Sequence, residues 1–293
     1  GPVAATDGRF FCTWEPELRA IHLFTLDRKT PIRITTFGEP GTAPGQIGHV
    51  TAIAIDAELK RIWAVDAGNA RIHEWRFEPP PPESPGFDPS MATLSRSVPL
   101  KHAGEGSLVR TVDGLFFIDR TEGRALAINP DGQHKTVEIP VARDPIAVAL
   151  SKSKDSQRFA VLDAAENVIH LMGDWPDTQS HGSTVKLHDV VDPVDLAVAA
   201  DNSLIVVDRG GHQLLRYAPD GQELTRWGSR GIDHGTFWRP AAVVVDEQNR
   251  VIVLDHGNHR AQMFDNDGSW IMTFGTGRAW TRSANEPAVK EME

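Results

Sequence analysis

The sequence predicts an all-β chain folded as a six-bladed β-propeller of four-stranded antiparallel blades. Three observations lead there. Short apolar runs alternate with Gly, Pro, Asn and Asp turns; one run in most units ends in Val-Asp, Leu-Asp or Ile-Asp; and the aspartates concerned, Asp66, Asp119, Asp163, Asp208 and Asp255, lie 53, 44, 45 and 47 residues apart. Four short strands fill such a period, and radial repetition of four-stranded units is the propeller pattern. One such sheet alone cannot bury both of its faces. A ring of six covers every face with a neighbour and leaves only short edges.

The elements follow in order. Blade one is expected over residues 3–37, with a short first strand before the turn at Asp7-Gly8, strands over 9–14 and 19–24, and Trp14 where later units carry aspartate. Blade two, over 49–100, is introduced by residues 37–50, which align without a gap on residues 227–240 ahead of blade six: aromatic-Gly, then Gly, then Gly, then an apolar residue. Both segments run into an apolar strand ending at Asp56 or Asp246, then a second strand ending at Asp66 or Asp255, then a Gly-Asn-x-Arg turn holding Asn69 and Arg71 or Asn258 and Arg260. Blade three (104–140), blade four (144–188), blade five (192–227) and blade six (239–275) show the same frame, leaving a tail over 276–293. Closure of the ring is expected to rest on the first few residues of blade one, on that tail, or on chain upstream of Gly1. Gly1-Pro2 reads as the remnant of a cleaved tag.

The bulk numbers bound the function. At 40% hydrophobic residues the 293-residue chain has ample material for a core, and it has no run of 18 apolar residues. Thirty basic against 40 acidic residues give a net charge of −10, the opposite of the basic footprint that nucleic-acid binding needs, so no nucleic-acid partner is expected. The single cysteine, Cys12, excludes an internal disulfide and a multi-cysteine zinc site. It suits the cytosol and equally a periplasmic or secreted scaffold; between these we favour the extracytoplasmic setting.

The glycine lead-ins and the Val65-Asp66, Asn69, Arg71, Ile72 pattern, with its counterpart Leu254-Asp255, Asn258, Arg260, resemble the NHL-repeat family. The resemblance covers roughly residues 3–275 and is clearest in blades two and six. It implies a six-bladed propeller and, commonly in that family, a recognition or sensor module. It does not name an activity, because function is grafted onto such scaffolds.

In a meander of strands a, b, c and d, the d-to-a and b-to-c connections emerge on one end of the blade, around the mouth of the central channel. Aligned on strand a, the lead-in positions are His49, Asp144, Asp192 and Arg239. The b–c turns add Asn69, Arg120, Glu122, Glu166, Arg209, His256, Asn258 and His259, and strand a of blade five adds Asp195. From these we expect a binding face of His49, Asp144, Asp192, Asp195, Arg239, Arg120, Arg209 and His256, recognising a protein, peptide or glycan. The alternative is a metal-dependent enzyme in the channel. The resemblance extends to six-bladed peptide-amidating lyases, gluconolactonase- and paraoxonase-like lactonases and streptogramin lyases, in which ligands from several blades converge on one ion. Asp144, Asp192, Asp195 and His49 are the candidate ligands here for calcium or another divalent ion. The amidating pattern is not met, because Thr51, Ile146, Val194 and Ala241 stand where its histidines would be. No Gly-x-Ser-x-Gly elbow and no Cys-His pair is evident, so no catalytic residue is assigned.

Structural readings stand beside these. Asp-Pro at 144–145 and 192–193 is also common turn chemistry, in which the carboxylate accepts backbone N–H groups. The recurring aspartates read as framework, capping the following turn or pairing with the arginine five residues on. The other histidines, among them His22, His73, His102, His134, His170, His181, His188, His212 and His234, form no metal-binding spacing. The proline run at 79–82 reads as an exposed polyproline loop of blade two, and the 173–184 segment as a similar loop of blade four. Trp238 and Trp280 are candidate anchors for a partner.

Overall fold

The computed structural model describes residues 4–16, 19–26, 31–79, 88–129, 132–137, 142–151, 158–174 and 181–275. It contains six four-stranded antiparallel sheets, each made of four strands consecutive in sequence. Blade one comprises Ala4–Thr6, Phe10–Glu15, Ala20–Thr25 and Ile32–Phe37; blade two Val50–Asp56, Arg61–Asp66, Arg71–Phe77 and Ala92–Pro99. Blade three comprises Gly106–Thr111, Gly114–Asp119, Arg124–Ile128 and His134–Val137; blade four Pro145–Leu150, Arg158–Asp163, Val168–Asp174 and His181–Lys186. Blade five comprises Pro193–Val198, Leu204–Asp208, Gln213–Tyr217 and Glu223–Trp227; blade six Pro240–Val245, Val251–Asp255, Arg260–Phe264 and Trp270–Phe274. Among the described residues, no helix is long and apolar enough to cross a membrane.

The second strand of each blade explains the sequence pattern. Successive side chains point to opposite faces of a strand, and here both faces are covered, so the strand interior is almost continuously apolar. In blade two, Ile62 and Ala64 face the core shared with blade one, while Trp63 and Val65 face the core shared with blade three. In blade three, Leu115 and Phe117 look back to blade two, and Phe116 and Ile118 forward to blade four. The buried residues form six such cores, one at each interface between adjacent blades. Each fully buried aliphatic or aromatic side chain contributes about 1.5–3 kcal/mol, so the ring is held together by its interfaces rather than by any single blade.

Ring closure uses the N-terminal fragment. Ala4–Thr6 pairs with the second strand of its own blade, Ala4 opposite Thr13 and Thr6 opposite Phe11. Blade one then meets blade six through a core of Phe11, Phe24 and Leu26 against Ala242, Leu254, Met263 and Phe274. The Phe11 and Phe274 rings meet edge to face at 5.9 Å, a favoured aromatic geometry. Polar bonds close the far end of the joint: the Glu247 amide donates to Gly8 O at 3.4 Å and Arg250 Nη2 to Leu26 O at 3.3 Å. Asp7 performs the same service toward blade two, accepting the Ala57 amide at 2.5 Å. The tail 276–293, the other expected source of closure, lies outside the described residues, as does Trp280.

Two loops differ from expectation. Strands reach Asp174 and restart at His181, so the blade-four loop shrinks to 175–180, outside the described residues. The lead-in before blade two carries a short parallel pair, Glu39–Pro40 with Gln46–Ile47, and a parallel bridge between Arg230 and Phe237 repeats it before blade six. Of the proline segment, residues 80–87 lie outside the described residues; Asp88 ends it by accepting the Ser90 amide at 2.8 Å.

Gly8 is where the closed ring tolerates least. Its φ is +105, and a Cβ there would lie 2.1 Å from Glu247 Cγ and 2.8 Å from the Glu247 amide nitrogen. Gly8→Ala is therefore expected to cost about 2 kcal/mol or more, the sum of positive-φ strain and displacement of blade six. Urea unfolding followed by tryptophan fluorescence checks it; an unchanged midpoint would show that blades one and six do not meet as described.

Candidate functional site

The channel-mouth face is built by the aspartates that end the second strands. Asp66, Asp119, Asp163, Asp208 and Asp255 are all fully buried. Four of them reach across to the residues that introduce the first strand of the same blade. Asp66 accepts the Gly48 and His49 amides, the latter at 3.0 Å; Asp163 accepts those of Arg143 at 2.6 Å and Asp144 at 3.2 Å. Asp208 accepts those of Val191 and Asp192, at 3.3 and 3.0 Å, and Asp255 that of Trp238 at 2.7 Å. Blade three substitutes a threonine: the Glu105 amide donates to Thr121 Oγ1 at 3.0 Å. The same aspartates hold the b–c turn, as in Asn69 Nδ2 to Asp66 at 2.6 Å and Asn258 Nδ2 to Asp255 at 2.8 Å.

The arginine five residues on pairs with the aspartate closely in blade six, where Arg260 Nε lies 2.7 Å from Asp255, and more loosely in blades two and three, at 4.0 Å for Arg71 and 3.7 Å for Arg124. Burial raises the pKa of Asp66, but hydrogen bonds from His73, the His49 amide, Asn69 and the Gly48 amide outweigh it and hold the carboxyl down to about 2.

With the turn amides satisfied by these buried carboxylates, the lead-in side chains are free for other partners. Asp144 takes a two-bond contact from Arg120 of the preceding blade, at 3.0 and 2.9 Å. Asp192 takes Arg209 Nε at 2.7 Å. Neither carboxylate accepts a backbone N–H among the described residues, so the Asp-Pro turn chemistry expected for them is not what the fold uses. His49 Nε2 lies 3.4 Å from Glu105 Oε1. Arg143 Nε lies 2.9 Å from Glu166 Oε1. These pairs are largely exposed, where an ion pair contributes about 0–1 kcal/mol, so they set the charge pattern of the face rather than its stability. Arg239 and His256 are exposed on the same face, the Arg239 amide donating to His212 Nδ1 at 3.0 Å.

Asp195 stands apart from the mouth. It lines a cavity of about 100 Å³ in the channel, among Ala4, Thr51, Ser107, Ile146 and Ala241 from five other blades. Its Oδ2 accepts the Val243 amide at 2.8 Å. Part of its surface faces the narrow lumen, and the first strands of the other five blades surround it there, which limits its solvation. Burial pushes its carboxyl up to about 7, against the pull of the Val243 and Leu196 amides.

The four candidate metal ligands thus occupy separate contacts. Among the described residues, one group of three ligand-type side chains comes within 4.8 Å: Asp163, Glu166 and His170. His170 is buried, with Nε2 3.6 Å from Asp163 Oδ2. Blade two repeats the arrangement with His73 Nε2 at 3.3 Å from Asp66. The sequence signal was present, a histidine seven residues after the framework aspartate in both blades, which alternation along the strand places beside it.

The raised carboxyl of Asp195 carries a pH signature. The folded state holds that proton up to about pH 7, whereas an unfolded aspartate releases it near 3.9, so stability falls as pH rises through that window by about 1.4 kcal/mol per unit. Asp195→Asn is expected to match the wild type near pH 4 and to exceed its stability by about 2 kcal/mol or more at pH 7.5. Urea unfolding across pH 4–8 checks it; parallel curves would contradict the assignment.

Comparison with known proteins agrees with this architecture. The family model for the NHL repeat matches residues 237–264. No curated protein matches the chain in sequence. Among solved structures, virginiamycin B lyase from Staphylococcus aureus is similar with a TM-score of 0.59 at 15% identity, covering 91% of this chain and 82% of that one. A streptogramin B lyase gives 0.60 at 15% identity, covering 94% and 82%. A chain of the nidogen/laminin complex gives 0.55 at 13% identity, covering 76% and 78%. At such identities the likeness is one of fold. The protein is a six-bladed β-propeller whose last blade matches the NHL repeat.

Proposed function

We propose that the protein is a binding module that recognises an acidic protein segment or peptide on its channel-mouth face, over blades five and six. The observation that carries this reading is Trp238. It is 44% exposed although its amide is fixed by the buried Asp255, and its ring lies against Gly257, where a Cβ would come within 2.8 Å of it. A rigid, exposed tryptophan beside arginines is the composition of an interface anchor. Arg230 lies over the indole at 5.8 Å. Arg239 follows directly in the chain with φ +53, a conformation that costs a non-glycine residue about 1 kcal/mol. Glycine would avoid that cost, so an arginine there points to a role for its side chain. Val191 and Ile232, 73% and 70% exposed, add apolar surface in the lead-ins of blades five and six. The local charge is basic in a chain of net charge −10, which favours an acidic partner. Likeness to a chain of the nidogen/laminin complex is consistent with a propeller that docks another protein.

The second reading, a metal-dependent enzyme in the channel, is favoured by likeness to the two lyases. The residues present fit it less well. Calcium takes six to eight oxygen ligands, and among the described residues the channel cavity offers one carboxylate, Asp195. The Asp163, Glu166 and His170 group has its carboxylates engaged by backbone amides and by Arg143.

Peptides selected against the full chain from a random display library test the first reading. They are expected to be acidic, and Trp238→Ala to weaken them about thirtyfold, the effect of losing about 2 kcal/mol at an anchor, with the melting temperature unchanged. Equal binding by wild type and variant would overturn it. Melts with chelator, calcium or zinc separate the second reading: the binding module predicts no movement, whereas an ion held by the folded state must raise its apparent stability.

A further inference from the structure

On the opposite face, away from the channel mouth, a cleft of about 390 Å³ opens between blades two and three. That is the size of a small-molecule site. Its floor is apolar, made by Trp63, Ile72, Leu115 and Ile128. Its rim holds four arginines, Arg61, Arg76, Arg96 and Arg110. Two carboxylates answer them. Glu74, almost fully buried, pairs with Arg61 and accepts Arg96 Nε at 2.7 Å and Trp63 Nε1 at 3.2 Å. Asp56 lies 3.4 Å from Arg110 Nε, whose guanidinium also sits over the Trp63 ring at 5.9 Å. The Arg76 side chain is exposed and has no hydrogen-bonding or ion-pair partner among the described residues.

Among the described residues, four guanidinium groups line this cleft against the carboxylates of Glu74 and Asp56, in a protein that is acidic overall. Like charges this close repel unless a counter-charge is supplied. Burial, followed by the neighbouring Arg76 and Arg96, lowers the pKa of Arg61. Guanidinium groups match phosphate oxygens in geometry as well as charge. A phosphate monoester carries nearly two negative charges at neutral pH, which suits a cleft lined by guanidinium groups.

We propose that this cleft binds a small organic phosphate monoester, its dianionic head among Arg61, Arg76 and Arg96 and its apolar body on the Trp63, Leu115 and Ile128 floor. The site is independent of the channel-mouth reading, since it lies on the other face and uses none of the same residues.

Calorimetric titration of the full chain with 1-naphthyl phosphate, inorganic phosphate and 1-naphthol tests the proposal. The ester is expected to bind at least about tenfold more tightly than inorganic phosphate, because the apolar body adds burial, and naphthol not to bind measurably. Added salt is expected to weaken the ester, since charge attraction is screened. Raising pH from about 5 to 7.5 is expected to strengthen it as the second phosphate proton leaves. Arg76→Glu, at an exposed and unpaired position, is expected to weaken binding at least about tenfold with an unchanged melting temperature. Asn129→Asp, on the exposed wall of the same cleft, is expected to act in the same direction. No binding of the ester by the wild type, equal binding of inorganic phosphate, or binding indifferent to both substitutions would overturn the proposal.

Discussion

A buried carboxylate at the end of the second strand is the constraint on which the channel-mouth face depends. A propeller blade packs its strands by apolar contact, which is non-directional and does not decide where the connecting loops lie. The aspartate supplies direction. It is removed from water in blades two to six, where an unpaired charge would be severely costly, so it demands donors. In four of those blades the donors are the amides that introduce the first strand. In blades two and six an asparagine of the b–c turn joins them. One charge therefore ties two loops, and does so at the same end of successive blades. The lead-in side chains are left outward with no part in holding the backbone, and pair with neighbouring side chains instead, which is why the face can vary from blade to blade while its backbone does not.

The two faces of the ring consequently differ in kind. The channel-mouth end is fixed by carboxylate-to-amide bonds within blades and decorated by ion pairs such as Arg120 with Asp144. At the opposite end polar bonds run between blades, as in Asp7 to Ala57 and Arg250 to Leu26. Blade one lacks the aspartate and places Trp14 in an apolar core instead. Its place in the ring comes from packing on both sides and from those inter-blade bonds. The cleft between blades two and three belongs to this second end, where a buried Glu74 gathers arginines from two neighbouring strands.

Much of the fold was legible in the sequence because its signals are local. Alternation along a strand whose two faces are both covered leaves a continuous apolar run, and the aspartate marks where the run stops. The lead-in positions followed from the same alignment, since His49, Asp144, Asp192 and Arg239 each directly precede a first strand. What those side chains touch was not legible. Asp144 and Arg120 are 24 residues apart and belong to different blades, a contact set by the angle between sheets. Asp195 looked like one more residue of the face, but the register of its strand sends it into the channel. The arginine cleft draws on positions from 59 to 132 with no recurrent spacing, so no motif marks it. Ring closure, too, depended on whether Ala4–Thr6 could pair within its own blade, which three residues of sequence do not reveal.

Native-state amide hydrogen exchange tests the central claim most directly. The amides of His49, Asp192 and Trp238 lie in connections between blades, where loop amides ordinarily exchange quickly, whereas amides held by core structure open only with global unfolding. If buried carboxylates hold the channel-mouth face, these three exchange as slowly as the second-strand amides of Val65, Val207 and Leu254. Exchange at the rate of an open loop, with the strands still protected, would contradict the account.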